Sequence, residues 1–128
     1  RLRIEDNKCV LTFKKVLNKQ GAKIAEEHSV EVSNLAVMKK ILLALGLSIT
    51  GRTEKHRVSY QLDEVHFDFD HYKGELNYIP EFMEIEAASI ETIYKYAKLL
   101  GFKKEDCLPW SIKDLINHYS ETRTKTEI

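Results

Sequence analysis

Cysteine is scarce in this sequence. Cys9 and Cys107 are the only two in 128 residues, far apart, with no Cys-x-x-Cys and no histidine at zinc-binding spacing. That argues against a disulfide scaffold and a structural zinc site, and predicts two reduced thiols in a cytoplasmic protein. Net charge is also missing: twenty basic residues balance twenty acidic ones. A general nucleic-acid binder would show a positive excess, so nucleic acid is not an expected partner. No apolar run approaches the ~20 residues needed to span a bilayer. The opening Arg1-Leu2-Arg3-Ile4-Glu5 has no secretory pattern, and no membrane role is expected. Nor is there an initiator methionine, and these residues already read as mid-strand, so we expect the natural N-terminus to lie upstream. The length fits one domain with a real core.

Charge is patterned instead. Arg1, Arg3 and Glu5 alternate with Leu2 and Ile4, a period of two that predicts a strand. Asp6-Asn7-Lys8 is a turn signal, and Cys9 to Lys15 reads as the second arm of a hairpin, with Val10, Thr12 and Lys14 opposite Leu11 and Phe13. Asn18-Lys19-Gln20-Gly21 makes the next loop. In Ile24 to Val32, Glu27, Ser29 and Glu31 oppose His28, Val30 and Val32. Ser33-Asn34 caps a helix whose Leu35, Met38, Ile41, Leu42 and Leu45 recur at helical spacing, and Gly46 stops it.

The second half repeats this order. Thr53 to Leu62 and Glu64 to His71 read as strands, Lys73-Gly74-Glu75 as a loop closed by Pro80, and Phe82 to Ala87 as another strand. Ser89 caps a helix ending at Gly101. Ser111 caps a short helix carrying Ile112, Leu115 and Ile116, and residues 120–128 form a polar tail without apolar periodicity, expected to be loosely held. One constant shift carries Val30 onto Ile85, Glu31 onto Glu86, Leu35 onto Ile90, Leu45 onto Leu100 and Gly46 onto Gly101. We infer an approximate internal duplication.

The charged stripes are the chemical signal. Lys55 and Arg57 share a face, as do Asp68 and Asp70, and Glu84 and Glu86. Glu84-Ile85-Glu86 alone fits a solvated strand face, and Asp68 alone reads as a solvent neighbour or a partner for Arg57. His28, His56, His66, His71 and His118 are scattered and read as structural or surface residues. Taken together, so many strands with one charged face predict a barrel with its charges turned inward and its apolar outside covered by helices. Such an interior is costly to desolvate unless a ligand uses it. A triphosphate fits the cations, because guanidinium forks match phosphate oxygens in pairs. The carboxylates fit Mg2+ or Mn2+, hard ions that favour oxygen and bridge carboxylate to phosphate.

Arg1-x-Arg3, Leu11-Thr12-x-Lys14, the strand with Glu27 and Glu31, Lys55-x-Arg57-x-x-Tyr60, Phe69-Asp70 and Phe82-x-Glu84-Ile85-Glu86 follow one another in an order that resembles the CYTH superfamily. This group of triphosphate tunnel enzymes includes class IV adenylyl cyclases, thiamine triphosphatases and inorganic triphosphatases. The resemblance runs over residues 1–119, including a C-terminal helix around Ser111 to Tyr119. It implies an α+β fold: an antiparallel eight-stranded β-barrel, flanked by helices, whose charged interior is the triphosphate tunnel. Carried over by motif, Arg1, Arg3, Lys14, Lys55 and Arg57 would grip the triphosphate. Asp70, Glu84 and Glu86 would bind Mg2+ or Mn2+, with Glu27 and Glu31 as further acidic residues of the metal set. Lys14, Arg57 and Glu84 would carry catalysis.

Two departures stand out. The family's first strand, Glu-x-Glu-x-Lys, is absent from these residues, and Ser29 stands where an alternating acid is expected. The reading that follows is metal-dependent hydrolysis of a triphosphate, with at most a second copy as protein partner in a homodimer. The alternatives are a class IV adenylyl cyclase, in which the ribose hydroxyl attacks and pyrophosphate leaves, and a binding module without turnover.

Overall fold

A computed structural model describes residues 1–126, with side chains over residues 1–121. The fold is α+β, with six strands in two antiparallel three-stranded sheets and three α-helices. The chain divides into two compact units, one of residues 1–19 and 23–52, the other of residues 20–22 with the described chain from Thr53 onward.

In the first unit, β1 (Leu2–Glu5), β2 (Lys8–Asn18) and β3 (Ile24–Val32) form a meander in which β2 is central. Its tight turn uses Asp6 at φ 49° and Asn7 at φ 62°, the pair of positive values that matches the strands' own twist. Helix α1 (Leu35–Ala44) follows, opened by Asn34, whose side chain accepts from the Val37 amide. It closes on Gly46 at φ 87°, where the Leu47 amide reaches back to the Leu42 carbonyl.

The second unit repeats the plan with β4 (Lys55–Leu62), β5 (Val65–Tyr72), β6 (Phe82–Glu86) and α2 (Ile90–Leu99). Ser89 caps α2 through the Thr92 amide, and Gly101 at φ 88° ends it as Phe102 donates back to the Ala97 carbonyl. The shift that relates Glu31 to Glu86 also carries α1 onto α2 end to end. The internal repeat is thus present as meander, helix and glycine stop in both halves.

The buried hydrophobic residues Val65, Phe67, Tyr72, Ile79 and Ala97 all belong to the second unit. There, α2 packs beside β6 on the apolar face of the sheet, with the Phe67 and Tyr96 rings 5.8 Å apart. Tyr96 also donates to Asp63 in the β4–β5 turn, at 2.7 Å.

Two expectations are revised. The described strands number six, and no closed barrel is present among the described residues, so the eight-stranded count is not reached. Helix α3 (Ile112–Thr126) runs past Tyr119, where apolar periodicity ends. Its polar residues continue the hydrogen-bonded ladder without an apolar stripe, because helix geometry needs only the backbone once a turn has nucleated. The last two positions of the expected tail lie outside the described residues. No helix among the described residues is long and apolar enough to cross a membrane.

Candidate functional site

Register decides which charges meet. On β4, β5 and β6, Arg57 lies opposite Asp70, Ser59 opposite Asp68, and Asp68 opposite Glu84. Strand alternation then places Lys55, Arg57, Ser59, Asp68, Asp70, Glu84 and Glu86 on one face, with Val58, Tyr60, Phe67, Phe69, Met83 and Ile85 on the other.

Arg57 is the hub of that face. Its Nε donates to Asp70 Oδ1 at 2.6 Å and its Nη2 to Asp70 Oδ2 at 2.6 Å, the bidentate fork that guanidinium forms with carboxylate. Its Nη1 donates to Asp68 Oδ2 at 2.6 Å, and Nη2 also reaches Glu84 Oε2 at 2.9 Å. Lys55 Nζ adds a bond to Asp70 Oδ2 at 2.5 Å, and Ser59 Oγ donates to Asp68 Oδ1 at 2.6 Å. The Asp70 side chain has no exposed surface, while that of Glu84 is 39% exposed.

Burial pushes the Asp70 carboxyl upward, but hydrogen bonds and charge from Arg57 and Lys55 outweigh it, and the group titrates below the usual carboxylate range. Arg57 moves the other way. Its hydrogen bonds to Asp70 and the surrounding negative charge raise it further above an already high value, against the opposing effect of burial.

The first unit carries its own charged face. Lys14 pairs with Glu27, directly opposite in register, and Lys8 with Glu31 at 3.1 Å. The hydrogen bond from Lys14 holds Glu27 below its ordinary value. Arg1 joins the sheet beside Thr12, whose amide donates to the Arg1 carbonyl at 2.8 Å. Arg3 Nη2 meets Glu5 Oε2 at 2.7 Å, yet its Nε is buried with no partner among the described residues. Buried Thr12 shares a 2.9 Å hydrogen bond with Ser29, so Ser29, found where an acid was expected, belongs to a neutral pair.

The CYTH domain family matches residues 1–105. This chain belongs to the CYTH family. Two solved structures are similar to it. A conserved hypothetical protein from Pyrococcus furiosus is 29% identical with a TM-score of 0.72, over 86% of this chain and 68% of that one. A protein from Pyrococcus horikoshii is 25% identical with a TM-score of 0.70, over 83% of this chain and 65% of that one. The chain therefore spans about two thirds of the length of these neighbours. No curated protein matches it. CYTH domains form a triphosphate tunnel fold, and the family includes triphosphatases and adenylyl cyclases that use divalent metals.

The residues present suit such a metal. One carboxylate oxygen each from Asp68, Glu84 and Glu86 lie within 4.8 Å of one another. These are hard oxygen donors, the class that Mg2+ and Mn2+ prefer. On this face two cations meet four carboxylates, which favours a further positive charge. Asp68 is the residue that sequence reasoning left out of the metal set. Its period-two relation to Asp70 is visible in the sequence, but its place beside Glu84 is a matter of register. Asp70, expected among the metal ligands, has both oxygens on Arg57 and Lys55. Glu27 and Glu31 lie in the first unit, each paired with a lysine.

A groove of about 760 Å³ lies on the opposite, apolar face of the second sheet, lined by Val58, Tyr60, Phe67, Phe69, Met83 and Leu99 among others. Glu81 is its only charged residue, so it offers nothing to hold a triphosphate. The histidines expected to be structural or superficial are all exposed and none joins the charged face of β4–β6 except His66, at its end.

Proposed function

We propose that this CYTH chain is a metal-dependent triphosphatase acting on tripolyphosphate, thiamine triphosphate or a nucleoside triphosphate. One observation carries the reading: a single sheet face joins Lys55 and Arg57 to three carboxylates whose oxygens lie within 4.8 Å. Cations alone would suit any anion, and acids alone are common on wet strands. Their combination matches a phosphate chain and its counter-ion.

In this reading Asp68, Glu84 and Glu86 hold Mg2+ or Mn2+, with Asp70, Glu27 and Glu31 as the supporting acids. Arg1, Arg3, Lys14, Lys55 and Arg57 bind the phosphates. The orphan Nε of Arg3 supports this role, because a buried donor without a partner costs about 1–3 kcal/mol and a phosphate oxygen would satisfy it. The metal, when bound, would supply Lewis acidity and charge neutralisation at the transferred phosphoryl group. Arg57 and Lys14 stabilise the charge that builds on the phosphate oxygens, and Glu84 orients the metal-side geometry. The protein works in the cytoplasm, with a small-molecule substrate and at most a second copy as partner.

The deciding experiment offers ATP, thiamine triphosphate and tripolyphosphate separately, with Mg2+ or Mn2+, and resolves the products. Orthophosphate from one of them supports the proposal and identifies the substrate. Cyclic AMP with pyrophosphate would move the assignment to a cyclase, and binding without turnover to a module. Glu84→Gln should abolish metal-dependent turnover with the fold intact; wild-type activity in that variant would remove Glu84 from the site.

A further inference from the structure

Arg57 as it stands has a single N–H, on Nη1, left for a phosphate. Four of its five N–H groups already have carboxylate partners: Nε–H and one Nη2–H on Asp70, the second Nη2–H on Glu84, and one Nη1–H on Asp68. These partners are not equivalent. Asp70 has no exposed surface and is bound in a fork, so releasing it would strand a buried charge. Glu84 is more than a third exposed and makes one contact. Asp68 is itself buried, its side chain 9% exposed, but it keeps the Ser59 hydroxyl as a second donor when Arg57 leaves. Asp68 and Glu84 are also two of the three acids whose oxygens cluster within 4.8 Å.

We propose that Asp68 and Glu84 mask Arg57, and that Asp70 is its permanent positioning partner. A divalent cation drawing the Asp68 and Glu84 oxygens to itself would release one N–H on each terminal nitrogen of Arg57, while the Asp70 fork keeps the guanidinium aimed. Metal and triphosphate then bind with positive coupling, because the cation removes competitors for the same hydrogen-bond donors. By linkage the coupling is reciprocal, so a bound triphosphate tightens the metal equally. Glu86 has no contact with Arg57 among the hydrogen bonds and ion pairs of this face. It is the natural control, since its removal changes the local charge as much as removal of Glu84 does.

The inference rests on the triphosphate reading and is tested without turnover. Tripolyphosphate binding is measured by calorimetry in EDTA for the wild type, Glu84→Gln and Glu86→Gln. Masking predicts that Glu84→Gln tightens metal-free binding about tenfold over wild type, the scale of one charged hydrogen bond, while Glu86→Gln gives only the smaller change due to lost repulsion. In an Arg57→Lys background, which keeps a cation for Asp70 but loses the fork, the advantage of Glu84→Gln over Glu86→Gln should vanish. Equal affinities of the two glutamine variants, or an advantage that persists with Lys at position 57, would overturn the masking. Failure of the wild type to bind tripolyphosphate, thiamine triphosphate or ATP even with Mg2+ would instead overturn the triphosphate reading itself.

Discussion

At the scale of single residues, Asp70 and Arg57 set the energetics of the site. Breaking a buried ion pair from one side leaves its partner charged and unmatched. Asp70→Asn should therefore lower stability by about 3 kcal/mol, at the low end of the range for such pairs because Arg57 stays in contact with Asp68 and Glu84. Urea titration at pH 7 checks it. The pH dependence follows in sign. A carboxyl whose folded pKa is depressed contributes stability that is present above its unfolded value near 4 and lost as pH falls through the lower folded value. The wild type should thus lose stability below about pH 4 more steeply than Asp70→Asn, and parallel acid profiles would remove Asp70 from the account. The sequence made Asp68 and Asp70 look alike, two acids on one face of one strand. Register separates them, setting Asp70 against Arg57 and Asp68 against Glu84.

At the scale of elements, local signals were strong. The turn at Asp6-Asn7, the caps at Asn34 and Ser89 and the stops at Gly46 and Gly101 are all where the side-chain chemistry put them. Each is satisfied within a few residues of itself, so nothing distant can override it. Ser89→Ala should cost about 1 kcal/mol through the lost bond to the Thr92 amide. Gly101→Ala should cost about 1–2 kcal/mol, since its φ of 88° strains any side chain although an added Cβ would meet nothing within 4 Å. Gly51 has equal space and no positive φ, so Gly51→Ala should be neutral or slightly stabilising. Thermal unfolding of the three variants checks this, and the two glycine variants isolate conformational strain because neither position is crowded. The reach of α3 was less legible, because its outer turns carry no apolar stripe to signal a helix.

At the scale of the whole molecule, the proposed metal site should show itself as stability. A ligand that binds only the folded state adds about 2.7 kcal/mol at one hundred times its dissociation constant. Mg2+ or Mn2+ should therefore raise the melting temperature, and the rise should disappear in the Glu84→Gln, Glu86→Gln double variant. An unchanged rise would place the ion elsewhere. The zero net charge separates this from general polyanion binding: the protein should bind tripolyphosphate without retaining duplex DNA at physiological salt.

The sequence by itself determined the strands, the two helices with clear caps, the internal repeat and the face on which each charge lies. Alternation and helical periodicity are properties of the local backbone, written residue by residue. Tertiary structure decided which charges touch, which acids are buried, and which donors are already taken. Those depend on pairing between strands distant in sequence. A shift of one residue in that pairing would leave every local signal intact and give Arg57 different partners.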